Sequence, residues 1–220
     1  TAIEKVDNQY RVKGKSADKT AYFEAEAVFN SAGRPPAIFE LELEKAGISF
    51  SKKGIEVNEF LQSTSNANIY AVGDAADSRG LPLTPVAVLE GHVVASNIIK
   101  GNKKKVSYPP MPSVVFTLPT MATVGLLEDE AKEKGYDINV NFEKVDNWFN
   151  ARRLNVDEYA FKTIIDKNNN TILGAHLIGP NAEETINLFA MAIKTMITIS
   201  DLRTMIFSYP TMASDLTYML

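Results

Sequence analysis

The fold is decided by two neighbouring stretches of sequence: residues 64–76, Thr-Ser-Asn-Ala-Asn-Ile-Tyr-Ala-Val-Gly-Asp-Ala-Ala, and residues 83–91, Leu-Thr-Pro-Val-Ala-Val-Leu-Glu-Gly. The apolar run Ile69–Val72 predicts a short buried strand, and Gly73 and Asp74 follow where that strand ends. Glycine lets the backbone approach a ligand closely, and a carboxylate beyond a strand can accept hydrogen bonds from ligand hydroxyls. The first stretch therefore predicts a ligand-binding turn.

The second stretch opens a helix that we predict over Thr84–Lys100. Thr84 is expected to cap this helix, Pro85 to occupy its first helical position and Gly101 to end it. Unpaired amides at such a helix start favour anions. The interior of the helix is apolar nearly all round, which predicts that the helix is buried.

The flanking sequence predicts both strands and helices. Strands are expected at Tyr10–Lys13 and Ala21–Phe29, before a break at Gly33–Pro36. Further along the chain, Phe161–Asp166 and Thr171–Ile178 are expected to pair as a hairpin across an asparagine-rich turn.

A further helix is predicted to begin at Asn181, with Glu184 completing a capping box, and to continue to about Met196. The apolar stripe of this helix belongs to the core or to an interface between chains, and it consists of Ile186, Phe189, Ile193 and Met196.

The composition limits the functions open to the chain. Its 220 residues carry a formal net charge of -4, which argues against nucleic acid or an anionic membrane as a partner. No cysteine is present, which excludes a disulfide framework and a cysteine nucleophile, and the isolated histidines give no reason to expect a metal site. The absence of cysteine also fits the cytoplasm. The chain begins at Thr1 without an obvious start to a fold, so we expect it to begin within a longer protein.

Together the two stretches resemble the second FAD-binding motif of the flavoprotein disulfide reductases, the family of glutathione reductase, dihydrolipoamide dehydrogenase and mercuric reductase. The resemblance implies that Asp74, beside Gly73, holds the ribityl chain of FAD. It also implies that a helix start faces the flavin, and this start consists of Leu83, Thr84, Pro85, Val86 and Ala87. Asn30–Pro36 resembles the crossover that leaves the NAD(P)-binding domain in this family.

The remainder of the chain resembles the dimerisation domain of the same family. The matching segments are Pro112–Thr117, Ala122–Gly125, Ile172–Pro180 and Tyr209–Thr211. The last of these falls in the closing pattern His-Pro-Thr-x-x-Glu, which supplies the family with an acid–base histidine and its orienting glutamate.

The chain departs from the family in ways that affect its chemistry. Tyr209 stands at the histidine position and Ser214 at the glutamate position, with Asp215 one residue later. Tyrosine side chains titrate near 10 and histidine side chains near about 6.5, so tyrosine is the poorer proton shuttle at neutral pH. Mercuric reductase and coenzyme A disulfide reductase resemble this chain in using tyrosine, which argues against glutathione as the substrate. The redox dithiol and both glycine-rich phosphate loops are absent from the sequence.

These observations predict a fold of incomplete Rossmann-like α/β pieces followed by an α+β dimerisation domain with an antiparallel sheet. The expected divisions are 1–33 for the end of an NAD(P)-binding domain, 34–106 for the C-terminal part of an FAD-binding domain and 107–220 for the dimerisation domain. The expected function is part of an FAD-dependent NAD(P)H:disulfide oxidoreductase that works as a homodimer, with FAD bound weakly or not at all by this chain alone. Two alternatives remain open: a dimerisation module that is inactive alone, and a flavin reductase without a dithiol, against which the dimerisation-domain resemblance argues.

Overall fold

The structure is a computed structural model that describes residues 2–17, 19–31 and 33–220. The strands are β1 (Ala2–Val6), β2 (Gln9–Ser16), β3 (Lys19–Ala25), β4 (Phe50–Ser51), β5 (Gly54–Glu56), β6 (Ala76–Asp77), β7 (Ser113–Val115), β8 (Met121–Gly125), β9 (Ile138–Lys144), β10 (Ala160–Asp166) and β11 (Thr171–Ile178). The α-helices are α1 (Thr84–Lys100), α2 (Glu128–Glu133), α3 (Phe149–Leu154), α4 (Ala182–Thr195), α5 (Ile199–Thr204) and α6 (Met212–Asp215).

An antiparallel meander of β1, β2 and β3 opens the fold. Its strands are mostly exposed, with Tyr22 at 60% and Phe23 at 61% of their full accessible surface. The prediction of a strand to Phe29 is wrong, because β3 ends at Ala25. The register pairs Ala25 with Tyr10, so β2 has only Gln9 left to lie opposite the chain beyond Ala25.

A second unit is built on the sheet β4-β5-β6, in which β5 and β6 run parallel. The predicted strand at Ile69–Val72 is not a regular strand. Its backbone bonds go to the neighbouring segment, where Ser63 donates to the Ile69 carbonyl and Ala71 donates to the Leu61 carbonyl at 3.1 Å. The buried side chains of this unit are Ile38, Leu43, Ile48, Ile55, Ala71 and Ala76.

The bounds predicted for α1 are confirmed, whereas its cap and its burial are not. Leu83 is the N-cap and Thr84 is already helical, so the Thr84 side chain makes no capping bond. One face of the helix is buried, and Val88 and Ile99 on other faces are 55% and 80% exposed. Helix α1 therefore has more apolar side chains than the described residues bury.

The C-terminal half is organised by an antiparallel sheet in the order β7-β8-β11-β10-β9, with α4 against β8 and β11. The predicted hairpin is confirmed, because β10 and β11 pair from Ala160 opposite Ile178 to Asp166 opposite Thr171. Gly125 and Gly174 let β8 and β11 approach closely. A Cβ at Gly174 would lie 2.1 Å from the Leu126 carbonyl oxygen.

The structure corrects the predicted start of α4, and it assigns most of the apolar stripe to the core, one of the two alternatives left open. Asn181 has a left-handed backbone (φ 54°) and its side chain makes no capping bond, so the capping box is wrong. Ile186 and Phe189 are fully buried in the core of their own chain rather than presented to a partner. Of the predicted stripe, Met196 is exposed, at 70%.

The mixed α/β character and the antiparallel C-terminal sheet confirm the predicted fold class. Among the helices of the described ranges, none combines the length and the hydropathy needed to cross a bilayer. Two hydrophobic cores are recorded within the same ranges, one in the residues before α1 and one in the residues after it.

Candidate cofactor site

The ligand-binding turn predicted at Gly73 and Asp74 is a single turn of 3-10 helix, Gly73–Ala75. Gly73 has a left-handed backbone (φ 59°), and a Cβ there would lie 2.9 Å from the Cβ of Ala87. Both facts favour glycine at this position. The turn therefore lies directly against the start of α1, and the structure brings Gly73 and Ala87 together.

The buried side chain of Glu90 joins α1 to this turn by a hydrogen bond. Its side chain is fully buried (0% exposed), and its Oε2 accepts a hydrogen bond from the Gly73 amide at 2.6 Å. Its Oε1 accepts from the hydroxyls of Ser78 at 2.7 Å and Tyr108 at 2.5 Å. Burial, reinforced by the bond to Glu90, raises the pKa of Tyr108 to about 12, so Tyr108 is a neutral donor at physiological pH.

Arg34 joins the crossover segment to the same turn. Its guanidinium Nη2 lies 2.8 Å from Oδ2 of Asp74 and donates to the Pro82 carbonyl at 3.1 Å. This pair is solvated, with the Arg34 and Asp74 side chains 70% and 46% exposed, so it orients Asp74 more than it stabilises the fold. Ala32, within the predicted crossover, lies outside the described residues.

The start of α1 offers donors beside the turn. Val86 and Ala87 donate their amides to the Leu83 carbonyl, each at 3.0 Å. Thr84 is exposed, and its amide and hydroxyl have no recorded partner in the part of the chain that is described. Pro85 contributes no amide proton. The helix start therefore presents Thr84, together with the positive end of the helix dipole, to whatever lies against it.

These residues fit one end of FAD. Asp74 keeps its Oδ1 without a recorded partner in the described ranges and can accept from a ribityl hydroxyl, while Thr84 and the helix start suit the electron-rich edge of a flavin. Because Gly73 has no side chain, the turn can lie close against Ala87 at the start of α1. The described residues provide no glycine-rich helix start that could hold the diphosphate, so the fit covers the ribityl and ring portion.

Tyr209 lies in a different part of the fold. Its ring is 70% exposed and is stacked on Phe149 of α3, with 5.7 Å between ring centroids and 32° between planes. In the described ranges, no hydrogen bond, ion pair or ring contact joins Tyr209 to the residues from Gly73 to Ala87. The structure therefore places the predicted catalytic and cofactor residues in separate groups.

Ser214 and Asp215, near the family's glutamate position, are both engaged elsewhere. Ser214 exchanges hydrogen bonds with Thr211 in a capping box at the start of α6. Asp215 is buried, and it accepts from Asn150 Nδ2 at 3.0 and 3.1 Å and from the Tyr159 hydroxyl at 3.0 Å. Burial raises the pKa of Asp215, and the two donors oppose that rise. Neither side chain therefore orients Tyr209 directly.

The helix α3 fixes the Tyr209 segment instead. Asn150 also donates to the Thr211 carbonyl at 3.0 Å, so neighbouring residues of α3 hold both the ring of Tyr209 and the backbone that follows it. Trp148, just before α3, packs its ring against Tyr159, Phe161 and Tyr218 at centroid distances of 6.1, 5.8 and 5.9 Å.

Sequence reasoning missed the roles of Arg34, Glu90 and Asn150. Both Glu90 and Arg34 lie within the quoted segments. Their spacing does not show that the Glu90 side chain is buried, nor that Arg34 joins the crossover segment to Asp74. Asn150 is separated from Thr211 and Asp215 by more than sixty residues, so no local pattern could have paired them.

Two family models match the chain. "Pyridine nucleotide-disulphide oxidoreductase" matches residues 1–91, and "Pyridine nucleotide-disulphide oxidoreductase, dimerisation domain" matches residues 111–220. Among solved structures, the HOCl-induced flavoprotein disulfide reductase RclA from Escherichia coli superposes with a TM-score of 0.81 at 30% identity, over 98% of this chain and 48% of that one.

The similar curated proteins differ in length. An uncharacterised 19.7 kDa protein in a mercuric resistance operon of Staphylococcus aureus is 53% identical over 82% of this chain and is covered completely. A mercuric reductase of the same species is 38% identical over 88% of this chain, which covers 35% of that enzyme. A dihydrolipoyl dehydrogenase, also of Staphylococcus aureus, is 35% identical over 96% of this chain, which covers 44% of it. The chain belongs to the pyridine nucleotide-disulphide oxidoreductase family, of whose longer members it spans about a third to a half.

Proposed function

We propose that this chain supplies the ribityl-binding turn, the flavin-facing helix start, the dimer interface and one wall of the substrate site of an FAD-dependent NAD(P)H:disulfide oxidoreductase. When bound, FAD would carry electrons from NAD(P)H towards a disulfide or a related small substrate. The observation that carries the proposal is the Gly73–Asp74 turn, which packs on the start of α1 and presents a carboxylate with a free oxygen.

The proposed divisions are an NAD(P)-domain end at 1–33, an FAD-domain part at 34–106 and a dimerisation domain at 107–220. The two separate hydrophobic cores support the last boundary, because residues 101–112 between them form no helix or strand. A cytoplasmic location is part of the proposal, and the absence of cysteine from these 220 residues is compatible with it.

Tyr209 is proposed to contact substrate in the assembled enzyme. Its ring is exposed and packs on Phe149, and its hydroxyl can donate a hydrogen bond to a substrate group such as a thiolate. This role suits a mercuric reductase-like or coenzyme A disulfide reductase-like enzyme better than a glutathione reductase.

The second candidate is a dimerisation module that works without its own flavin. The relative in a mercuric resistance operon favours it, because that protein of 19.7 kDa is matched over its full length. Such a module would associate through residues 107–220 and would not need the Gly73–Asp74 turn to bind anything.

Titration of free FAD into the 220-residue chain, followed by flavin fluorescence, separates the two candidates. The first predicts weak, saturable binding that Asp74→Ala weakens roughly tenfold or more, since hydrogen bonds to charged groups contribute about 1.5–3 kcal/mol. The matched control is Asp157→Ala, which removes an exposed carboxylate from the C-terminal half.

No interaction with FAD at any concentration would favour the module. Stoichiometric flavin retained through purification would overturn the expectation of weak binding. Binding that Asp74→Ala and Asp157→Ala leave equally unchanged would show that the flavin lies elsewhere.

A further inference from the structure

Glu90 is a buried carboxylate that has no cationic partner among the described residues. Its side chain is fully buried, and no lysine or arginine of the described residues lies within ion-pair distance of it. An isolated buried charge is strongly disfavoured unless hydrogen bonds satisfy it. In the described ranges its donors are Gly73, Ser78 and Tyr108, all neutral.

The donors to Glu90 come from three segments of the chain. Gly73 belongs to the candidate ribityl-binding turn, Ser78 follows β6, and Tyr108 lies on the connection towards the C-terminal half. Gly80 leaves the room they need, because a Cβ there would lie 2.7 Å from Glu90 Oε1 and 2.9 Å from Tyr108 Cε1. The packing around the carboxylate is therefore tight on the side away from the turn.

We propose that Glu90 is a positioning residue, which fixes the Gly73–Asp74 turn against α1 before any ligand binds and so aims the Asp74 carboxylate. The buried Glu90 carboxylate accepts a hydrogen bond from the Gly73 amide. The side chain of Asp74, the next residue, is exposed to solvent and pairs with Arg34. The claim that Glu90 aims Asp74 at a flavin rests on the proposed function. The claim that Glu90 fixes the Gly73–Asp74 turn does not require flavin.

Amide hydrogen exchange of the 220-residue chain tests directly whether Glu90 fixes the Gly73–Asp74 turn. In Glu90→Met, which keeps the length but removes the acceptors, the Gly73 amide should exchange about tenfold faster or more, while the β10 amides of the other core stay unchanged. Glu90→Gln should keep Gly73 protected, because its amide oxygen can accept from Gly73 while its NH₂ donates to the two hydroxyls. The matched control is Glu44→Gln, an exposed glutamate without a recorded side-chain bond.

A Gly73 amide that exchanges in Glu90→Met as in the unaltered chain, or that accelerates only as much as the β10 amides, would overturn the proposal. Should Glu90→Met fail to fold, a measurement on the unaltered chain still tests the hydrogen bond between Gly73 and Glu90. A through-hydrogen-bond NMR coupling between the Gly73 nitrogen and the Glu90 carboxyl carbon is expected, and its absence would overturn the proposal.

The same variants titrated with free FAD connect the positioning to function. Glu90→Met should weaken flavin binding and Glu90→Gln should retain it. If the chain alone does not bind FAD, the dimerisation module is favoured over the flavin-binding candidate, while the exchange result at Gly73 still supports or overturns the role of Glu90.

Discussion

At the residue scale, Asp215 lies one residue beyond Ser214, which stands at the family's glutamate position. Its carboxylate is turned into the core, where Asn150 and Tyr159 donate to it and where its pKa is raised by burial. Because the folded pKa exceeds the unfolded one, the folded state holds the proton more tightly. Stability from this group is therefore full below about 3.9, the ordinary pKa of aspartate, and is lost as the pH rises through the raised folded value.

Asp215→Asn should remove that pH dependence. We expect the free energy of unfolding of the unaltered chain to fall, relative to Asp215→Asn, as the pH is raised from about 4 through the folded pKa of Asp215. Urea denaturation of both proteins at a series of pH values measures the difference. Parallel profiles would show that Asp215 titrates as it does in the unfolded chain.

At the element scale, the contact of β8 with β11 depends on glycine. A Cβ at Gly174 would lie 2.1 Å from the carbonyl oxygen of Leu126, a residue just beyond β8 whose amide donates to the Leu173 carbonyl. Gly174→Ala should therefore destabilise the fold by about 3 kcal/mol or more, since such large effects follow from strain in a packed core. Thermal unfolding of the chain measures it.

The control for Gly174→Ala is Gly91→Ala within α1. A Cβ at Gly91 would meet nothing within 4 Å, and alanine is favoured over glycine in a helix by about 1 kcal/mol. This variant should be as stable as the unaltered chain or more so. A loss of stability at both positions would show that the close approach of β8 and β11 is not the cause.

The same scale shows which features of the fold the sequence predicts. Local patterns located the bounds of α1 and the hairpin β10–β11, because periodicity and turn residues act within a few positions. They failed for the face of α1, since an apolar side chain does not indicate which segment covers it. They also failed for the Ile69–Val72 strand, whose backbone partners are set by the loop that contains Leu61.

The residues of the candidate site also divide into those that local sequence patterns predict and those whose roles depend on contacts with distant segments. The turn at Gly73 and the exposed carboxylate of Asp74 can be predicted from the sequence, because a turn and an acceptor are local properties of the chain. The role of Glu90 cannot, since its function depends on Tyr108, eighteen residues away, arriving beside Ser78. Asn150 depends on contacts across more than sixty residues with a segment that is next to it only in the folded molecule.

At the scale of the whole molecule, the C-terminal half has an apolar surface that its own core does not use. Met191 is 65% exposed, Met196 70% and Ile206 99%. Methionine and aromatic residues are enriched in interfaces, and most homo-oligomers are twofold dimers. We therefore expect a dimer, with the buried Ile186 and Phe189 supporting the interface from behind rather than forming it.

Sedimentation equilibrium at micromolar concentration tests this expectation. The unaltered chain should sediment as a dimer, and Met191→Glu should shift it towards the monomer, because a charge is disfavoured in the centre of an interface. Tyr22→Glu on the exposed meander is the control and should leave the association unchanged. A monomer for the unaltered chain would contradict the prediction.

The aromatic cluster around Trp148 gives the molecule an optical reporter of its own. The sequence contains one tryptophan, and its indole meets Tyr218 edge to face, 5.9 Å away, close to the end of the chain. Indole emission depends on the polarity around the ring, so detachment of the last dozen residues would move the emission of the whole protein to longer wavelength. Steady-state fluorescence excited at the red edge of the absorption band would follow the docking of that segment without any added label.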